Sequence, residues 1–297
     1  MSRTLLPAFL CISLAAFASD LKYTRKISDP TGEHRPITYS FQGERIRVDH
    51  RNEFGYDWNN GKPETVAYGP RMATIYQCDM HRVLELDFDH HQYTVTDLDR
   101  RGVPMTATRV NLPAHSNGAK VKLVVENRDT GETKMEFGQT ARHFVTTRKM
   151  IPSPGSCATT AQETTEDGWY LDIEPRADSC MGINQPPRHR AVTVLASANC
   201  IDDYEVQQSG PEPPAFPVEL TITTHVPGAA SQQSHALTEL VTDLSRLPLD
   251  PQIFDLPTGF KRVDKLDNSP NLPWLLRGRL MWQSVKSTVW GWTPWGR

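Results

Sequence analysis

The stretch "ITYSFQGERIRVDHR", residues 37–51, alternates apolar and polar side chains with a period of two, and the chain returns to that pattern after each break. Ile37, Tyr39 and Phe41 share one side. Beyond Gly43 the alternation resets, and Ile46 and Val48 alternate with Arg45, Arg47 and Asp49. Successive side chains leave a pleated backbone on opposite sides, so this period marks a strand with one buried and one wet face. It recurs in "RMATIYQCDM", "RVLELDF", "YTVTDLD", "AKVKLVVENR", "KMEFGQTARHFVTTRKM", "GWYLDIE", "RAVTVLAS", "DYEVQQS" and "PVELTITTHV". Long helical periodicity is scarce. The expected fold is mainly β, an antiparallel meander, sandwich or barrel without βαβ units.

Three local readings follow. "DTGE", residues 129–132, is read as the tight turn of a hairpin. "HALTELVTDLSRL" fits a helical stripe as well as a strand, and the strand is favoured because "PVELTITTHV" precedes it as a hairpin partner. "IPSPGS" at 151–156 and "GPEPPAFP" at 210–217 are read as long hairpin loops inside one domain, residues 19–267.

The N-terminus has the three parts of a secretory signal: Arg3, an apolar run from Leu5 to Leu14, and Ala16-Phe17-Ala18 before the expected cleavage after residue 18. The run is too short to span a bilayer, which takes about 20 apolar residues. Removing residues 1–18 discards Cys11 and leaves Cys78, Cys157, Cys180 and Cys200, an even number with three possible pairings. Closing Cys180 to Cys200 is worth roughly 3 kcal/mol in the loop-entropy model, and Cys157 with Cys180 is the alternative. At least one disulfide is expected, joining two of the last three. With a net charge of −3 the chain lacks the concentrated basic surface that nucleic acid demands, so no such partner is expected.

The catalytic motifs are missing. No P-loop, GxGxxG, HExxH or GxSxG elbow is present, and no catalytic residue, metal ligand set or cofactor is assigned. "DFDHH", residues 87–91, matches the Asp-His-His string of some metal phosphoesterases. Its flanks, "RVLELD" and "YTVTDLD", read instead as two strands around a hairpin tip, where Asp, His and Gln suit a solvated turn. The rival is a surface metal site built from His81, His90 and His91.

After Asp267 the composition changes. Residues 268–297 carry Trp274, Trp282, Trp290, Trp292 and Trp295 with Arg277, Arg279, Lys286 and Arg297, and no acid. A helix over 274–290 would gather Trp274, Met281, Trp282, Val285 and Val289 on one face. Such a basic, amphipathic C-terminal helix suits a lipid interface or an apolar groove. The expected contacts are Trp274, Arg277, Arg279, Trp282, Lys286, Trp290, Trp292 and Trp295.

Three stretches together carry a resemblance: "FQGERIRVDHR", "TIYQCDMHRVLELDFDHHQYTV" and "LTELVTDLSRLPLDPQIFDLPTGFKRV". Their succession is similar to uncharacterised bacterial exported proteins and, more remotely, resembles the LolA/LolB/LppX carriers of lipoproteins and lipids. The resemblance runs from about Thr38 to Val263 and implies a strongly curved antiparallel sheet, a half-open barrel with an apolar concave face for acyl chains. It departs from the carriers at residues 19–36, which show no helical stripe. The expected function is an exported envelope protein, periplasmic or surface-associated, binding a lipid or acyl chain. The alternatives are a ligand-free structural or interaction module, and a secreted metal-dependent hydrolase.

Overall fold

The computed structural model describes residues 20–30, 32–59, 62–99, 118–173, 202–226 and 235–267, without the side chains of 52–68 and 235. Among the described residues fourteen strands form one sheet, curved and not closed. In chain order they are β1 (Leu21–Asp29), β2 (Gly32–Glu33), β3 (Ile37–Gln42), β4 (Arg45–Asn59), β5 (Lys62–Gln77), β6 (Arg82–Asp87), β7 (Gln92–Asp97), β8 (Lys120–Glu136), β9 (Gln139–Pro152), β10 (Gln162–Leu171), β11 (Asp203–Ser209), β12 (Phe216–His225), β13 (His235–Ser245) and β14 (Lys261–Arg262). Across the sheet the order is β11-β8-β9-β10-β12-β13-β1-β3-β4-β5-β6-β7-β14, and β2 pairs with β1.

The first strand lies in the middle. β1 pairs with β13 on one side and β3 on the other, joining the two halves of the chain into one sheet. Leu21 and Tyr23 bury alternate positions of it. They belong to a cluster that takes Phe41 and Ile46 from the first half and Ala141, Leu171, Phe216, Val218 and Val241 from the second. Tyr23 stacks on Tyr39 at 4.8 Å and meets Phe216 edge-on at 4.9 Å, both favourable aromatic geometries. Burial pushes the Tyr23 phenol well above its ordinary pKa, so the ring stays neutral. The Arg25 guanidinium lies over both tyrosine rings and pairs with Glu239 at 3.0 Å.

A second cluster sits on the other side of β4–β6. Ile46 pairs with Tyr76, which packs against the first cluster, whereas Arg47 pairs with Ile75, which belongs to the second. Ala73, Ile75, Leu84 and Leu86 therefore need a cover of their own. Residues 246–263 supply it as a strap that leaves β13, crosses the sheet and ends as β14 beside β7. Within it Pro251–Phe254 forms a 3-10 turn, capped by the Asp250 carboxylate on the Gln252 amide at 2.9 Å. Phe254 is wholly buried among the four apolar residues.

Strap carbonyls that face the sheet have no ladder partner, and side chains serve them instead. Gln77 Nε2 donates to the Phe254 carbonyl at 2.8 Å, Arg47 Nη1 to Ile253 at 2.8 Å and Gln42 Nε2 to Leu249 at 3.0 Å. Asp20 accepts from the Leu249 amide at 2.7 Å.

The mainly β expectation holds, with corrections. The sheet is not wholly antiparallel: β11 runs parallel to β8 and β14 parallel to β7, because each reaches its place by a crossover and not a tight turn. "DTGE" is no hairpin tip. β8 runs through it with a register shift between Asp129 and Thr133, and the turn falls at Phe137-Gly138. Both turn residues have positive φ, 49° and 75°, which suits a two-residue loop between twisted strands. "GPEPPAFP" joins β11 to β12, which are not neighbours, so it is not a hairpin loop, whereas "IPSPGS" does join the adjacent pair β9 and β10. β13 is a strand as expected. The 190–197 segment, the signal and the tail with its expected helix lie outside the described residues.

Replacing Phe254 with Ala should cost about 3–5 kcal/mol, the usual range for emptying a buried Phe site. Denaturant unfolding at constant slope checks this. A loss under about 1 kcal/mol would mean that the strap does not hold this face.

Candidate functional site

The β6–β7 turn is where "DFDHH" lies, and its two aspartates have different tasks. The Asp87 side chain is 1% exposed. Its Oδ1 accepts from the amides of Asp89 and His90, both at 2.9 Å, and its Oδ2 lies 2.7 Å from His90 Nδ1. These bonds shape the turn, and His91 closes it with a positive φ of 53°. Asp89 points back at β5. It accepts from Arg71 Nε at 2.8 Å and from the Arg71 amide at 3.1 Å, and lies 3.5 Å from Arg51 Nη2. The Arg71 hydrogen bond holds the Asp89 carboxyl below the usual carboxylate range.

The hairpin-tip reading is correct, and the rival metal site is not assembled. His81 stands at the opposite end of β6 from His90 and His91, separated by a six-residue strand about 20 Å long. No group of three or more His, Cys, Asp or Glu is gathered for a metal among the described residues.

Beside the turn opens a recess of about 410 Å³. Its wall follows from the polar side of the β4 alternation. Arg47, Asp49 and Arg51 project on one face, with Arg71 of β5 directly opposite Arg51 and Thr38 of β3 opposite Asp49. Arg35 completes the rim, and Met72 and Phe88 add apolar surface.

Arg47 is fully engaged: Nε and Nη2 donate to Asp49 at 2.6–3.0 Å, Nη1 donates to the Ile253 carbonyl, and the guanidinium lies 5.4 Å from the Phe88 ring centre. Arg51 donates through Nε to the Gly69 carbonyl at 2.8 Å. Arg71 is 69% exposed, and among the described residues no hydrogen bond reaches its two terminal amino groups. The arrangement offers charge and fixed N–H donors to an acceptor. Among its described side chains there is no Ser, Cys or Lys nucleophile paired with a base.

Sequence reasoning placed Arg45, Arg47 and Asp49 on the polar side of a strand and assigned the arginines no role. The available signal was the run Arg45, Arg47, Asp49, Arg51, one polar face of one strand. Of the residues it did single out, Cys78 is buried in a 3-10 turn beside Leu98. Cys157 is in the β9–β10 loop, where its amide donates to Asp202 at 2.7 Å. Following the antiparallel pairs from β9 to β5 places these two at opposite ends of the sheet. Cys180, Cys200 and the tail residues Trp274, Arg277, Arg279, Trp282, Lys286, Trp290, Trp292 and Trp295 lie outside the described residues.

The Asp87 carboxylate raises the pKa of His90 above its ordinary value, first by hydrogen bonding and then by charge. A raised folded-state pKa means stabilisation that is complete below the unfolded value near 6.5 and is lost as pH climbs through the folded one. His90→Ala should therefore lower Tm at pH 5.5 and change it less at pH 8. An equal loss at both values would refute the charged pair. A scan against protein-family models and a comparison with curated proteins give no match for this chain.

Proposed function

We propose that this chain is an exported, non-catalytic binding protein of the cell envelope that takes a lipid or acyl chain against its curved sheet. The observation that carries the reading is the open curve itself: fourteen strands bend without closing, and an unclosed sheet can admit a ligand along its length. The signal-like N-terminus and the resemblance to the carriers support export and a half-open barrel. On this reading the tail contacts a membrane surface or the sheet's groove through its tryptophans and cations.

A second reading, a ligand-free envelope module, draws on the Tyr23–Phe216 contact at 4.9 Å, which packs the chain's own rings across β1 and β12 inside the main apolar cluster. Two measurements separate them. Protein purified from a native-like host should release lipid on solvent extraction and should take up a fluorescent fatty acid. Neither lipid nor uptake would leave the ligand-free module.

We further infer that Cys78 and Cys157 each bond to one of Cys180 and Cys200, in place of a Cys180–Cys200 closure. In support, an exported chain with four cysteines is expected to pair them all, and Cys78 and Cys157 stand at opposite ends of the sheet, too far apart to pair with each other. Peptide mapping without reduction should recover both described cysteines in cross-linked peptides. A Cys180–Cys200 peptide, or four alkylatable thiols, would overturn this.

A further inference from the structure

We infer that the recess between β4, β5 and the β6–β7 turn binds an oxyanion of the phosphate-ester class, received by Arg71 and Arg51 with Arg35 at the rim. The first ground is charge. Three guanidiniums, of Arg47, Arg51 and Arg71, meet two carboxylates, Asp49 and Asp89, at one recess of about 410 Å³. Asp49 is spent on Arg47. Asp89 is shared by Arg51 and Arg71, which are cross-strand neighbours. Like charges set directly opposite on paired strands destabilise a sheet, and one shared carboxylate offsets only part of that. An anion bound between the two guanidiniums would remove the rest.

The second ground is donor geometry. The planar guanidinium fork matches the spacing of phosphate oxygens and binds them through paired hydrogen bonds. Arg71 presents its terminal amino groups to solvent, and Asp89 fixes its Nε side, so the fork is aimed before any ligand arrives. Arg51 is fixed in the same way by the Gly69 carbonyl. Groups held beforehand lose less freedom on binding.

The third ground is the size and lining of the recess. Its volume suits one anionic group with a small organic part, and Met72 and Phe88 give that part an apolar surface. A polyanion fits poorly, because the chain as a whole carries a net charge of −3. Two sources offer the same chemistry, a soluble phosphate ester and a phospholipid headgroup.

The test uses the full chain, glycerol 3-phosphate in titration calorimetry, and sedimentation with phosphatidylglycerol or phosphatidylcholine vesicles. Glycerol 3-phosphate should bind saturably and more weakly as salt rises. Arg51→Gln with Arg71→Gln should weaken it about tenfold or more, the scale of losing charged hydrogen bonds. Tm should move little, since exposed ion pairs contribute about 0–1 kcal/mol. Arg35→Glu, at an exposed rim position, repeats the test if the double variant misfolds.

Binding to phosphatidylglycerol vesicles alone, abolished by the same substitutions, assigns the site to a headgroup. Absence of binding to either probe, or binding indifferent to both variants, overturns the site. Fatty-acid uptake reads the envelope-carrier function separately: uptake without phosphate binding removes only this site, and phosphate binding without uptake removes only the lipid reading.

Discussion

The middle of the first half of the sheet buries both of its sides, and the rest of the structure adapts to that. A strand with one wet face needs a single apolar partner. β4–β6 instead send Ile46, Val48 and Tyr76 one way and Ala73, Ile75, Leu84 and Leu86 the other. Without the strap the second set would lie open to water. Phe254 closes it, and the side-chain bonds from Arg47, Gln77 and Gln42 let irregular backbone lie on a sheet without stranding its carbonyls. At its far end the strap sets Phe260 edge-on against Phe88 at 5.5 Å, and the Lys261 amide donates to the His91 carbonyl. The same segment that seals the core thereby steadies the turn beside the recess.

Charge at the recess is organised by a hierarchy of carboxylates. Asp87 is buried and spends its oxygens on its own turn, so its energetic weight is that of a buried acceptor whose loss strands its donors. Asp89, held out by that turn, orders two arginines at the surface. Exposed pairs of this kind contribute little to stability. What they contribute is placement, with long side chains pinned at one end and their remaining donors directed into the recess.

The sequence carried different parts of this unequally. β3, β6, β7 and β12 were legible from the period of two in their sequences, and β13 from the hairpin partner that precedes it. β1 was not singled out, although Leu21 and Tyr23 alternate as they should, because the charged residues around them mask a two-residue signal. The "DTGE" error has a physical cause: Asp-Thr-Gly suits a turn locally, but the chain absorbs it as a bulge. Asp129 Oδ1 accepts the Gly131 amide at 3.0 Å, and the positive-φ pair Phe137-Gly138 turns the strand later. The "DFDHH" turn was read correctly from its flanks. Its hold on Arg51 and Arg71 was not, because those arginines are 18 and more residues away and meet Asp89 only through strand pairing.

By itself the sequence determined that the described residues are mainly strands and turns, since the period of the side chains is a local property of the backbone. It also determined the hairpin at residues 87–91 and the mismatch with catalytic motifs. Only the tertiary structure decided that β1 sits between β3 and β13, that β11 and β14 pair in parallel, and that the 246–263 segment covers the second apolar face. Those are choices among long-range pairings, which register and burial settle together. The recess belongs with them, because four arginines spread over residues 35–71 become one site only when strands from distant positions lie side by side.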